Sequence, residues 1–205
     1  MKGFGECLSN LVKFPFQNAD FSDVQLINLL IPLKITKFES LLDLKSMTEK
    51  NLNINFQEFA SVEEMLPEDR ELVAEAIDAM KGSYAPYSHF NVGAAVRMSN
   101  GQIVKGANQE NAAFPSSLCA ERTAMYAAGA RYPDKDMMSI AIAGGVYGRI
   151  TDSPATPCGA CRQVMAQYQT KAGHKHKMSV IMVGAKVIWK FEKVDDILPL
   201  IFDSI

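Results

Sequence analysis

An excess of positive charge is the first thing this chain lacks: 21 lysines and arginines stand against 23 aspartates and glutamates, for a formal net charge of −2. That balance excludes a surface built to hold polyanions, so no nucleic-acid partner is expected and a small neutral substrate fits better. Long apolar runs are also missing. The stretch from Val24 to Ile35 is broken by Asn28, Pro32 and Lys34, and it falls short of the roughly 20 residues that span a bilayer, so no membrane partner is expected. No charged opening, long apolar stretch and small-residue cleavage site begin the sequence, which predicts reduced thiols and a cytoplasmic setting. Cysteine is scarce, with four in 205 residues. The apolar material is ample: hydrophobic residues make up 48% and charged residues 21%, enough for one sizeable core with an additional arm.

Residues 1–46 mix Gly3, Gly5, Pro15 and Pro32 with short apolar clusters such as Leu29-Leu30-Ile31 and lack the regular spacing seen later. They read as an N-terminal extension of unknown role ahead of a domain over 47–205. Met47 is a candidate alternative start, and a targeting or docking arm is the rival reading. From Pro67 the pattern becomes orderly. Pro67-Glu68-Asp69 suits a first helical turn, and Leu72, Val73, Ala76, Ile77 and Met80 recur at helical spacing until Gly82. Ser99-Asn100-Gly101 joins two apolar runs as a hairpin turn. Strands are expected at 139–144, 178–183 and 187–191, helices at 119–131 and 158–170, and a short last helix at 195–198. Buried strands alternating with helices predict a three-layer α/β/α sandwich with a five-stranded mixed sheet.

Three cysteines and a carboxylate carry the chemistry. In Pro157-Cys158-Gly159-Ala160-Cys161 the cysteines are three apart, so on a helix both sulfurs share one face. Pro157 suits a helix start, where free N–H groups and the dipole favour the thiolate that a metal requires. Cys119, opening the other helix, adds a third sulfur and leaves one tetrahedral position open, as in catalytic zinc sites. Three thiolates overcharge a Zn²⁺ ion, so Arg122 and Arg162, each one residue beyond a ligand-bearing group, are candidates for donating to the sulfurs. Glu121 stands where a first-turn carboxylate can move protons at the open position. A closed four-cysteine site using Cys7 is the structural alternative, and it leaves Glu121 without a role. His174 and His176 in a charged turn, and His89 before a strand, are weaker metal candidates.

With these residues in hand, the span from about Glu68 to Phe202 resembles the small, three-cysteine type of cytidine deaminase. Four blocks carry the likeness: Tyr84 to Ala95, Gly106 to Ala113, Cys119-Ala120-Glu121-Arg122, and Pro157 to Gln163. The resemblance implies one zinc ion per subunit and hydrolysis of cytidine and 2′-deoxycytidine to uridine and 2′-deoxyuridine with loss of ammonia, a pyrimidine salvage reaction. It implies that Glu121 shuttles protons, that Phe90 packs on the pyrimidine, and that Asn108 and Glu110 bind ribose hydroxyls. The backbone N–H of Ala120 holds the base carbonyl in that scheme. A homotetramer is also implied, with Phe202 lending an aromatic ring to a neighbouring subunit's site. Phe114 stands where the family often has Tyr. Deamination of another aminopyrimidine nucleoside is one rival reading, and a non-catalytic zinc-stabilised scaffold is another.

Overall fold

Successive residues of the central strands point to opposite faces, and here both faces are apolar. The computed structural model describes residues 48–171 and 176–202; the 1–46 extension, Cys7 and His174 lie outside them. The strands are β1 (Gln57–Phe59), β2 (Phe90–Met98), β3 (Ile103–Ala107), β4 (Met137–Val146), β5 (Arg149–Ile150), β6 (Ser179–Val183) and β7 (Ile188–Phe191). The helices among the described residues are α1 (Pro67–Ala79), α2 (Ala120–Arg131) and α3 (Gly159–Gln169). The sheet runs in the order β1-β7-β6-β4-β2-β3, with β5 paired to β4. β4 and β6 are parallel, with α3 in the crossover between them, and the other pairings are antiparallel.

Alternation divides the core into two layers. Ala94, Val96, Ile140, Ile142, Val180 and Met182 pack beneath α2 and α3 with Ala124, Met125, Ala128 and Met165. The intervening Ala95, Ala141, Ala143, Ile181 and Val183 face Leu72, Val73 and Ala76 of α1 and Met80 just beyond it. Burying each large side chain of this kind stabilises by about 1.5–3 kcal/mol. The expected three-layer mixed architecture and its five strands are present, and β1 and β5 widen the sheet to seven. Those two are three and two residues long, too short for alternation to register. The β4–β5 hairpin also turns on Tyr147 and Gly148, with φ of 52° and 74°, a mirror-type turn built without the Asn-Gly pair that marks such turns in a sequence.

Gly106 of β3 faces α2 directly. A Cβ there would come within 2.3 Å of the Ala124 nitrogen, so the bare backbone sets how closely the site-bearing helix lies on the sheet. At the β2–β3 turn, Gly101 adopts φ +81°, as the Asn-Gly pair predicts. An ion pair fastens α1 to the far side of the sheet: Lys190 Nζ lies 2.7 Å from Asp69 Oδ2, with both side chains largely buried.

Two expectations need correcting. Ile77 is 38% exposed, because it falls on the rim of the stripe centred on Ala76. The last helix is a single 3-10 turn at Val194–Asp196; Pro199 disfavours helical geometry at the residue before it and leaves no room for a second turn.

Candidate functional site

The candidate metal centre is built on two helix starts. Cys119 and Cys158 are the N-cap residues of α2 and α3, both in extended backbone geometry and neither using its side chain to cap. N-cap side chains usually turn back to bond the first-turn N–H groups; these two sulfurs turn toward each other instead. Cys161, in the first turn of α3, completes the trio. The Cys119 and Cys158 sulfurs are 4.0 Å apart, those of Cys158 and Cys161 are 3.4 Å apart, and all three lie within 4.8 Å of one another. A tetrahedral ion with metal–sulfur bonds of about 2.3 Å places its sulfurs roughly 3.8 Å apart. The trio therefore has the dimensions of a three-thiolate metal site.

Its electrostatics point the same way. The Cys119 thiol is held below its ordinary range, first by the hydrogen bond from Cys161 and then by Arg122 and Cys158. The Cys161 thiol is pushed up by that same hydrogen bond, by burial and by the Glu121 charge. Three sulfurs this close cannot all ionise without a cation among them, which is what a metal ligand set requires. Arg122 sends Nη2 to the Cys119 sulfur at 3.8 Å, the donation to a sulfur that its place in the sequence predicts. Glu121 is 4% exposed. Burial raises its carboxyl above the ordinary range, and the Cys119 charge adds to the rise.

Arg162 departs from expectation. Its Nε donates to the Pro157 carbonyl and its Nη1 to the Ile197 carbonyl, each at 2.9 Å, so it braces backbone rather than sulfur. It sits one turn into α3, past the point where its planar fork meets the thiolates. Ala120, wholly buried, occupies the first helical position of α2, where backbone N–H groups have no partner within the helix. His176 reaches the Met137 carbonyl through Nε2 at 2.9 Å, away from the cysteines.

Loops at the same end of the sheet carry the remaining expected residues. Phe90 opens β2, half-buried, and its ring stands close to Gly144 of β4. Asn108, just past β3, has its amide threaded into the protein. Oδ1 accepts from Ser83 Oγ at 2.5 Å and from the Val92 N–H at 2.8 Å, and Nδ2 donates to the Phe90 carbonyl at 2.9 Å. Glu110 Oε2 accepts from the N–H groups of Tyr87 and Ser88, and Oε1 accepts from Ser88 Oγ at 2.5 Å. Ser88 Oγ in turn accepts from the Phe90 N–H at 3.0 Å. One hydroxyl thus positions both Glu110 and the start of β2. Ser83 and Ser88 escape sequence reasoning, because a serine that braces another side chain across about 20 residues leaves no local pattern. Phe114 and Phe202 are 70% and 68% exposed; Phe114 meets Tyr87 edge-on at 5.9 Å, and Phe202 is attached through its carbonyl, which accepts from Gln163 Nε2 at 2.7 Å.

Comparison with known proteins supplies the family. The chain is 47% identical over 98 residues to a cytidine deaminase of Halalkalibacterium halodurans, spanning 47% of this chain and 68% of that one. It is 41% identical over 100 residues to a cytidine deaminase of Sporosarcina psychrophila, spanning 47% of this chain and 67% of that one. The crystal structure of a cytidine deaminase from Burkholderia pseudomallei superposes with a TM-score of 0.53 at 35% identity, covering 64% of this chain and 97% of that one. One from Mycobacterium tuberculosis gives 0.52 at 29% identity, covering 65% and 96%. Residues 66–175 match the cytidine and deoxycytidylate deaminase zinc-binding region, a description that makes zinc the cofactor of the sulfur trio. Because that match spans more than half of the chain and contains the three cysteines and Glu121, the protein belongs to the cytidine and deoxycytidylate deaminase family.

Proposed function

We propose that this protein hydrolyses the C4 amino group of cytidine and 2′-deoxycytidine, giving uridine and 2′-deoxyuridine with release of ammonia. The observation that carries the reading is a buried carboxyl, Glu121, set beside three sulfurs spaced for one ion. Zinc held by Cys119, Cys158 and Cys161 supplies a Lewis acid that makes water nucleophilic at neutral pH. Glu121 takes the proton of the water that attacks C4 and delivers it to N3. It then passes the second proton to the departing amine, so that C4 gains a carbonyl oxygen and ammonia leaves. Arg122 and the two helix N-termini offset the negative charge of the trio. The Ala120 N–H holds the base carbonyl, and Phe90 packs on the ring.

The sugar cradle has one free donor and one free acceptor. Asn108 has spent both acceptor positions of its oxygen and one N–H on the protein, leaving one N–H to give. Glu110 accepts three bonds and keeps one acceptor position of about four. We read the two as meeting on one sugar hydroxyl, a demand that ribo- and deoxyribonucleosides both satisfy. A pair set to meet a sugar hydroxyl favours a nucleoside over a free aminopyrimidine base.

No described helix is long and apolar enough to cross a membrane; we place the protein in the cytoplasm, where the three thiols stay reduced for the metal. We assign catalysis to residues 47–205 and assembly to a homotetramer in which Phe202 completes a neighbouring site, a reading supported by the exposure of Phe114, Phe202 and Tyr87. Zinc-loaded protein should abolish the ultraviolet band of cytidine with stoichiometric ammonia. Fully loaded protein that leaves cytidine intact would refute the proposal.

A further inference from the structure

Three side chains of α3 grip the chain's C-terminal segment. Gln169, wholly buried at the end of the helix, accepts from the Val194 N–H at 2.9 Å through Oε1 and donates to Asp195 Oδ2 at 2.7 Å through Nε2. Arg162 donates to the Ile197 carbonyl, and Gln163 to the Phe202 carbonyl. The same Arg162 also holds the carbonyl of Pro157, the residue immediately before the ligand Cys158. Backbone bonds tie Thr151 and Asp152 to Gly144, Ala185 and Lys186, but residues 153–158 contain no helix or strand, so the last stretch before Cys158 has no ladder of its own to fix it. One guanidinium therefore spans the loop that delivers a metal ligand and the segment that carries Phe202.

We propose that Arg162 is a positioning residue that couples metal retention to the docking of residues 197–202. The inference rests on the metal reading above. A planar fork holds its Nε and Nη1 donors in a fixed geometry that fits the two carbonyls; the three donors of an ammonium radiate from one atom on a flexible stem and hold such a pair less firmly. Loosening the tail removes one end of the brace and frees Pro157 to drift, which turns the Cys158 sulfur off the ion. Linkage makes the effect mutual, so emptying the metal site loosens the tail.

The test uses full-length, zinc-loaded protein and follows two signals: zinc release to a chromogenic chelator, and hydrogen exchange over residues 197–202. Arg162→Gln should release zinc about tenfold faster, the size expected when a partner bracing a ligand is lost, with Arg162→Lys in between. Gln163→Ala removes only the tail contact to Phe202, and it should still speed release by about two- to threefold, the equivalent of one modest hydrogen bond. Exchange over 197–202 in wild-type protein should rise when zinc is stripped. Wild-type release rates in both Gln163→Ala and a folded Arg162→Gln, or tail exchange indifferent to zinc, would overturn the coupling. Should Arg162→Gln fail to fold, Gln163→Ala and the wild-type exchange pair decide alone. Purified wild-type protein that binds no zinc would sink the metal reading itself, a separate result.

Discussion

The metal trio and the pair Asn108 and Glu110, proposed above as a sugar cradle, lie at the same end of the sheet but are held in different ways. The trio sits on the starts of α2 and α3, helices pressed onto a sheet whose facing residues are almost fully buried. That pair sits on loops, with Asn108 fixed by Ser83 and the backbone of Val92 and Phe90, and Glu110 by Ser88 and the exposed backbone of Tyr87. Helix ends bring their own N–H groups and dipole to the chemistry, so a ligand placed there is tuned by the element that carries it. A loop brings nothing of the kind. Its binding groups depend on supporting hydroxyls, Ser83 for Asn108 and Ser88 for Glu110.

That contrast can be broken at several points. Cys161→Ala strikes the rigid half, and we expect loss of bound zinc and of turnover together, checked by metal analysis beside a cytidine assay. Asp69→Ala leaves Lys190 uncompensated in a largely buried pair; it should lower unfolding free energy by about 3 kcal/mol in denaturant titration while KM for cytidine stays at the wild-type value. Ser88→Ala strikes the loop half, removing a hydroxyl bond to a carboxylate. KM should rise by about tenfold with kcat and zinc content little changed, which steady-state kinetics on both nucleosides would show.

The smallest expected effect is an acid one. Hydrogen bonds from Ser88 and from the Tyr87 N–H hold the Glu110 carboxyl below the ordinary carboxylate range. A lowered folded value means that its stabilisation is complete above the ordinary glutamate range and is lost as pH falls through the folded value. Protection of the Tyr87 and Ser88 amides from hydrogen exchange should therefore outlast the pH range where free glutamate titrates, and Ser88→Ala should move its loss to higher pH.

Much of this was legible in the sequence because it is local. Asn100-Gly101 marked the hairpin, apolar alternation marked the central strands, and the spacing of Cys158 and Cys161 placed two sulfurs on one helical face. Glu121 and Arg122 followed from their distance to Cys119. What stayed hidden depends on contacts far apart in the chain. Arg162 follows its N-cap cysteine by one residue more than Arg122 does, which carries it past the sulfurs, but its partner at the Ile197 carbonyl lies 35 residues away and leaves no local mark. The β1 strand exists because β7 offers it an edge, with the Trp189 indole donating to Glu58 at 2.8 Å; a three-residue segment has no periodicity to announce itself. Ser83 and Ser88 matter only through the side chains they hold.

The most direct test compares Glu121→Gln with wild-type protein for zinc content and cytidine turnover in the same preparation. Equal zinc is expected, one ion per subunit, with turnover lower by about 100- to 10,000-fold, on the order of what losing a positioned proton shuttle costs. Zinc-loaded Glu121→Gln that deaminates cytidine at the wild-type rate would contradict it.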